Sequence, residues 1–237
     1  MRLAQLLFTQ GFGTRRDCDA LVLAGLVQID GEVCEDPAQD VEANALRFVV
    51  RDQEWTYRER ALLVLHKPTG YECSQRPKHH PSIYSLLPGP LRQRGVQAIG
   101  RLDEDTTGVL LFTDDGALIH RLTSPKRHAA KVYEVQCKHP VDASQVDRLL
   151  RGVLLHDDEE TVRANACEAT GANALRLTLV EGKYHQVKRM VAAVGNRVEA
   201  LHRSDFAGIR VDDLAAGAWR WLSPAEERDL LERTARR

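Results

Sequence analysis

Residues 98–116, AIGRLDEDTTGVLLFTDDG, hold the densest concentration of groups able to do chemistry. An apolar run leads into Gly100-Arg101. Asp103 follows in a loop, and Thr106, Thr107 and Gly108 open a continuous apolar strand. The bracketing glycines allow a tight loop and close backbone approach. A neighbouring guanidinium favours the ionised form of a carboxylate. Asp103 beside Arg101 therefore suits a nucleophile or a general base rather than a general acid. The same spacing fits a turn aspartate that only caps local amides equally well.

Ordered elements must hold such a loop. Strands are expected at 61–66 (ALLVLH), 108–113 (GVLLFT), 131–137 (KVYEVQC) and 174–180 (ALRLTLV), with helices at 143–151 and 184–194. They do not alternate regularly enough for a doubly wound parallel sheet. The fold class expected is α+β with mostly antiparallel pairing. Ahead of this region lies a helix–helix–hairpin unit. Leu3, Leu6 and Leu7 have helical spacing, and Gly11 and Gly13 end that helix. Thr14 with Asp17 forms a weak capping box for a second helix that stops at Gly25. Val27, Ile29 and Val33 alternate around the turn Asp30-Gly31, and 46–50 (LRFVV) closes the unit. The charged stretch 51–60 is read as the boundary, giving domains 1–55 and 61–232.

Composition narrows the function class. The 237 residues carry a net charge of −1, which is not the signature of a generic nucleic-acid binder. The balance is −4 over residues 1–60 and +3 over the remainder, where all nine histidines lie. Any affinity for phosphate must come from local patches. No apolar run is long enough to span a bilayer, and the first residues lack a signal peptide's pattern. A soluble, cytosolic chain is expected, with a monomer the simplest state. The five cysteines have no zinc-knuckle or redox spacing. With no Gly-rich nucleotide loop, metal-ligand cluster or nucleophile elbow, neither cofactor nor metal is expected.

Two resemblances involve Asp103. Asp103-Glu104-Asp105-Thr106-Thr107 reads as D-x-D-x-T, the motif of the haloacid-dehalogenase phosphotransferases. In that family the motif ends the first strand of a parallel α/β fold, whereas here it lies mid-chain, and Asp114-Asp115 is too close to be the family's distal acidic motif. The second resemblance is far longer. GRLDEDTTGVLLFTDDG is similar to motif I of the pseudouridine synthases, in the branch with an N-terminal S4 domain. HKPTGYECS (66–74), RLTSPKRHAAKVYEV (121–135) and EGKYHQVKRMVAAVGNRVEALHR (181–203) match in the same order. RLAQLLFTQGFGTRRDCDALVLAGLVQIDGEV at the start resembles the S4 RNA-binding domain itself. Within the branch, HRLTSP, HQVKRM-x-AAVGN and GYECS look most like the enzymes that modify small-subunit (16S) rRNA. His66 stands where Asn is expected before Lys-Pro.

The resemblance implies an rRNA isomerase. Asp103 would be the catalytic aspartate, Tyr133 the active-site tyrosine, and Lys188 the basic partner that holds the aspartate ionised and oriented. Leu201 would pack under the base. Arg101 would fill the place of an extruded nucleotide or bind its phosphate, with a structural ion pair as the plainer alternative. Lys67, Arg121, Lys126, Arg127 and His128 are candidate phosphate contacts around the cleft. Arg15 and Arg16, in the first turn of the second helix, sit where the helix dipole disfavours cations and would meet RNA backbone. The implied partner is small-subunit rRNA or an assembly intermediate. Large-subunit (23S) rRNA, and a non-catalytic RNA-binding protein of ribosome assembly, are the alternatives.

Overall fold

A computed structural model describes residues 1–124, 129–156 and 159–235. The chain divides into two compact units, one of Met1–Ala61 with Leu87–Gln97, the other of Leu62–Leu86 with residues 98–237.

The first unit contains α1 (Leu3–Thr9), α2 (Arg15–Leu23), β1 (Val27–Ile29), β2 (Glu32–Cys34), β3 (Arg47–Val50), β4 (Gln53–Thr56) and α3 (Gly89–Gln93). The Thr14–Asp17 capping box starts α2, each side chain bonding to the other's backbone amide. Asp30 and Gly31 both have positive φ, the mirror-image turn that suits a twisted hairpin. The sheet order is β2-β1-β3-β4. Leu3, Leu6, Leu7, Cys18, Val22 and Val27 are fully buried in one core, and each large aliphatic chain there contributes about 1.5–3 kcal/mol.

The charged stretch read as the domain boundary is partly a strand. β4 pairs with β3 across Arg51-Asp52, both at positive φ. Two non-glycine residues in that conformation leave no glycine to signal the turn. Leu87–Gln97 also belongs to this unit: Arg94 Nη1 donates to Gln10 Oε1 at 2.9 Å and to the Arg58 carbonyl at 2.7 Å.

The second unit contains β5 (Leu62–Lys67), β6 (Gln97–Ala98, at the boundary), β7 (Thr106–Thr113), α4 (Gly116–Thr123), β8 (Lys131–Cys137), α5 (Ala143–Arg151), β9 (Val153–Leu154), β10 (Thr161–Val162), β11 (Ala166–Gly171), β12 (Ala174–Leu179), α6 (Gln186–Ala193), β13 (Val198–Phe206), β14 (Trp219–Trp221) and α7 (Pro224–Ala235). Its main sheet runs β11-β12-β8-β13-β7-β5-β14, with β6 beside β7. The pairings are antiparallel except β13 with β7. That parallel pair explains Gly108. A Cβ there would lie 2.1 Å from the Arg203 carbonyl oxygen, so only glycine lets β13 approach.

Two cores cover this sheet. One gathers Val135, Leu177 and Leu179 of the strands beneath Leu149 of α5 and Val187, Met190 and Val191 of α6. The other gathers Val64, Val109 and Leu111 beneath Leu118 and Leu122 of α4 and Leu230 of α7. Ile99 is buried in the second core and Leu102 in the first. The loop that carries Asp103 is thus anchored in both, which restricts its motion without burying its carboxylate.

Candidate active site

Asp103 sits between Leu102 and the turn that opens β7, where the Thr106 amide donates to the Asp103 carbonyl at 3.1 Å. Gly100, at φ +75°, turns the chain into the loop. Lys67, at the end of β5, fixes the loop from below. Its ammonium is fully buried and donates to the carbonyls of Pro68 (2.9 Å), Glu104 (3.0 Å) and Thr106 (2.9 Å). Burial pushes Lys67 below the ordinary lysine value. This corrects the reading of Lys67 as a phosphate contact, because every proton on its nitrogen is already given to the backbone.

The opposing wall is the start of α6. Apolar positions Val187, Met190 and Val191 are buried against the core, and this turns Lys188 outward over the loop. Lys188 Nζ lies 3.1 Å from Asp103 Oδ2, and donates to both carboxylate oxygens of Asp105 at 2.7 and 2.8 Å. A cation in a helix's first turn opposes the dipole; two carboxylates offset that here. Partial burial works against the ammonium, yet its bonds to Asp105 and Asp103 hold Lys188 above its usual value. Burial likewise works to raise Asp105, but the bond and charge of Lys188 outweigh it and hold that carboxyl below the usual range. One ammonium therefore serves two carboxylates, and Asp103 is the less exposed of them.

His185 supplies a second contact, Nε2 to Asp103 Oδ1 at 3.2 Å. Its backbone is left-handed at φ +47°, a conformation that costs a non-glycine residue of order 1–2 kcal/mol. Gln186 enforces it: Oε1 accepts from the Lys183 amide at 2.8 Å, and Nε2 donates to Glu181 at 2.7 Å. The segment 181–186 is thereby closed on itself.

A pocket of about 170 Å³ opens beside these groups. Tyr133, Leu201, Arg101, Asp103, His185 and Lys188 all line it. Tyr133 lies opposite Arg203 across β8 and β13, both inward-facing, and Tyr133 and Leu201 are buried. Arg101 is exposed at the rim. Five of the residues singled out from the sequence therefore converge: Arg101, Asp103, Tyr133, Lys188 and Leu201. Lys67 supports the loop from outside the pocket. Arg121 is in the last turn of α4, and Lys126, Arg127 and His128 lie outside the described residues. In the first unit, Arg15 and Arg16 are exposed on α2, and Arg15 donates to Gln5 at 2.8 Å.

Sequence reasoning missed three groups at the site, two of them, Lys131 and Arg203, in the pocket lining. Asp105, held by Lys188, was visible only as part of D-x-D. Lys131 precedes Tyr133 by two residues and so shares its face; burial and the charge of Arg203 push it down to about 8. Arg203 is 2% exposed, donates from Nε to the Val109 carbonyl at 2.8 Å, and lies over the Phe206 ring. His66 faces elsewhere, with Nδ1 2.6 Å from the Leu214 carbonyl and its ring edge-on to His202. Among the described residues, no group of three His, Cys, Asp or Glu side chains could hold a metal ion, and no helix is long and apolar enough to cross a membrane.

Comparison with known proteins places this geometry in a family. Residues 61–193 match the family described as RNA pseudouridylate synthase, and residues 1–46 match the S4 domain. The chain is 44% identical to the ribosomal small subunit pseudouridine synthase A of Escherichia coli (strain K12), over 95% of this chain and 98% of that one. It is 39% identical to the protein of the same name from Yersinia pestis, over 95% and 96%. A crystal structure of a pseudouridylate synthase, 34% identical, superposes with a TM-score of 0.69 over 97% of this chain and 99% of that one. The chain belongs to the RNA pseudouridine synthase family, isomerases that convert uridine to pseudouridine, and carries an S4 domain at its N-terminal end.

Proposed function

We propose that the chain isomerises one particular uridine of 16S rRNA, with Asp103 as the catalytic carboxylate. The observation that carries this reading is the Asp103 carboxylate held by Lys188 and His185 beside a pocket floored by Tyr133 and Leu201. The reaction breaks the N1–C1′ bond, turns the uracil, joins C5 to C1′, and moves the C5 proton to solvent while N1 gains one. Product and substrate have the same atoms, so the reaction consumes no oxidant, reductant or co-substrate. Asp103 acts by attacking base or sugar, or by taking a sugar proton. Tyr133 stacks on the turning base and helps remove the C5 proton, Leu201 packs under it, and Arg101 at the rim meets the backbone of the extruded nucleotide. Arg15 and Arg16 hold the RNA through its phosphates. The 16S assignment is supported by the relatives named as small-subunit enzymes.

The test uses rRNA labelled with tritium at uridine C5. Metal-independent release is expected from 16S rRNA, free or in partly assembled small subunits, and not from 23S rRNA. Release from 23S rRNA alone would transfer the assignment to the large subunit, and release from neither would leave an RNA-binding protein without this activity.

Lys188→Met leaves Asp103 and Asp105 without their shared cation. A misplacement of about 1 Å costs on the order of 100-fold in rate, so kcat should fall by about that factor. Lys188→Arg, which keeps the charge, should recover part of it. A Met variant within threefold of wild-type kcat would show that Lys188 does not position the carboxylate.

A further inference from the structure

Tyr184 is 72% exposed, the most exposed large apolar side chain among the described residues. An exposed aromatic ring is ordinarily mobile and costs solvation; this one is held. One face lies on the His185 imidazole, with centroids 3.8 Å apart and planes 19° from parallel. Arg189 Nη1 donates to the Tyr184 carbonyl at 3.3 Å, and Gln186 ties down the loop on both sides of it. The left-handed backbone at His185 sets the direction of both rings. The His185 ring reaches Asp103 Oδ1 at its edge, through Nε2 at 3.2 Å, while Tyr184 covers its face. The fold holds a strained residue in place and presents a flat, open aromatic face on the ring whose edge touches Asp103.

From this arrangement we infer that Tyr184 and His185 form a stacking platform for an unpaired nucleobase next to the target uridine. The inference rests on the RNA-isomerase reading above and adds to it a binding subsite outside the pocket. A base whose neighbour has been extruded has lost one stacking partner, and a fixed aromatic face replaces it. Stacking accepts any base, because each has a π-face. The platform thus contributes affinity and holds the extruded state, and does not read sequence.

Tyr184→Ala, Tyr184→Phe and Tyr184→Trp test it on the full chain with a 16S rRNA transcript. At such an exposed position none threatens the fold. Loss of one base–aromatic stack should raise both KM for tritium release and Kd by about tenfold in the Ala variant, with KM rising more than kcat falls. Phe should stay within about threefold of wild type on the same scale. In the Trp variant, RNA should quench fluorescence beyond the change given by the chain's own three tryptophans. Wild-type KM and Kd in Tyr184→Ala, or no additional quenching in Tyr184→Trp, would overturn the platform. If the wild-type chain released no tritium, the isomerase reading would fall, while Kd and quenching would still decide the platform.

Discussion

Asp103→Asn should lower tritium release at least about 10³-fold and leave the fold intact. The rate loss follows from chemistry: an amide neither attacks carbon nor accepts a proton at neutral pH, and groups in such roles contribute about 10²–10⁴ or more. The intact fold follows from geometry. In the variant Lys188 still has both oxygens of Asp105 at 2.7 and 2.8 Å, so its ammonium is not left uncompensated. The amide oxygen can still accept from one neighbour. Leu102 and Ile99 remain anchored in the two cores on either side of the loop. RNA affinity should therefore change little, and single-turnover release should carry the whole effect. Release within tenfold of wild type would remove Asp103 from the chemistry and return it to the role of a turn residue.

The elements legible in the sequence were those written locally. The Thr14–Asp17 cap, the Asp30-Gly31 turn, the run Lys131–Cys137 and the helix Ala143–Arg151 each carry their own signal and form where that signal lies. What depended on distant partners was not legible. β13 is the strand between β8 and β7, yet its alternation is broken by register shifts near Ala200 and Ser204 and by a buried arginine. A charged residue in a strand reads as solvent-facing until the Val109 carbonyl that receives its proton is known. β4 was hidden for a similar reason, since Arg51 and Asp52 make a glycine-type turn without glycine. In the site, family resemblance named Asp103, Tyr133 and Lys188. It gave no notice that Lys188 is divided between two carboxylates or that His185 lies against the first of them.

Lys67 shows the difference most sharply, and its replacement should have the largest effect on stability. As a sequence feature it is a lysine before a proline near a cleft, and it reads as a cation for phosphate. Folded, it is fully buried and ties the end of β5 to the turn that follows Asp103 through the carbonyls of Pro68, Glu104 and Thr106. Lys67→Met removes the charge and keeps most of the volume, but strips a donor from three acceptors inside the protein. The Glu104 carbonyl keeps the Gly70 amide at 2.9 Å as a second donor. Each acceptor left unsatisfied costs about 1–3 kcal/mol, offset in part because no ammonium need be buried. A net loss of about 3 kcal/mol is expected, or a fall in Tm of roughly 6–12 °C for a chain of this size. Arginine should not rescue it, because a planar fork cannot occupy a site built around a tetrahedral ammonium. The loop that loses its tie is the one that presents Asp103, so tritium release should also fall at temperatures where the variant is fully folded. A Tm within 2 °C of wild type would mean that the three carbonyls find other donors. A stable variant with weakened RNA affinity would restore Lys67 as a phosphate contact, against the burial of its nitrogen.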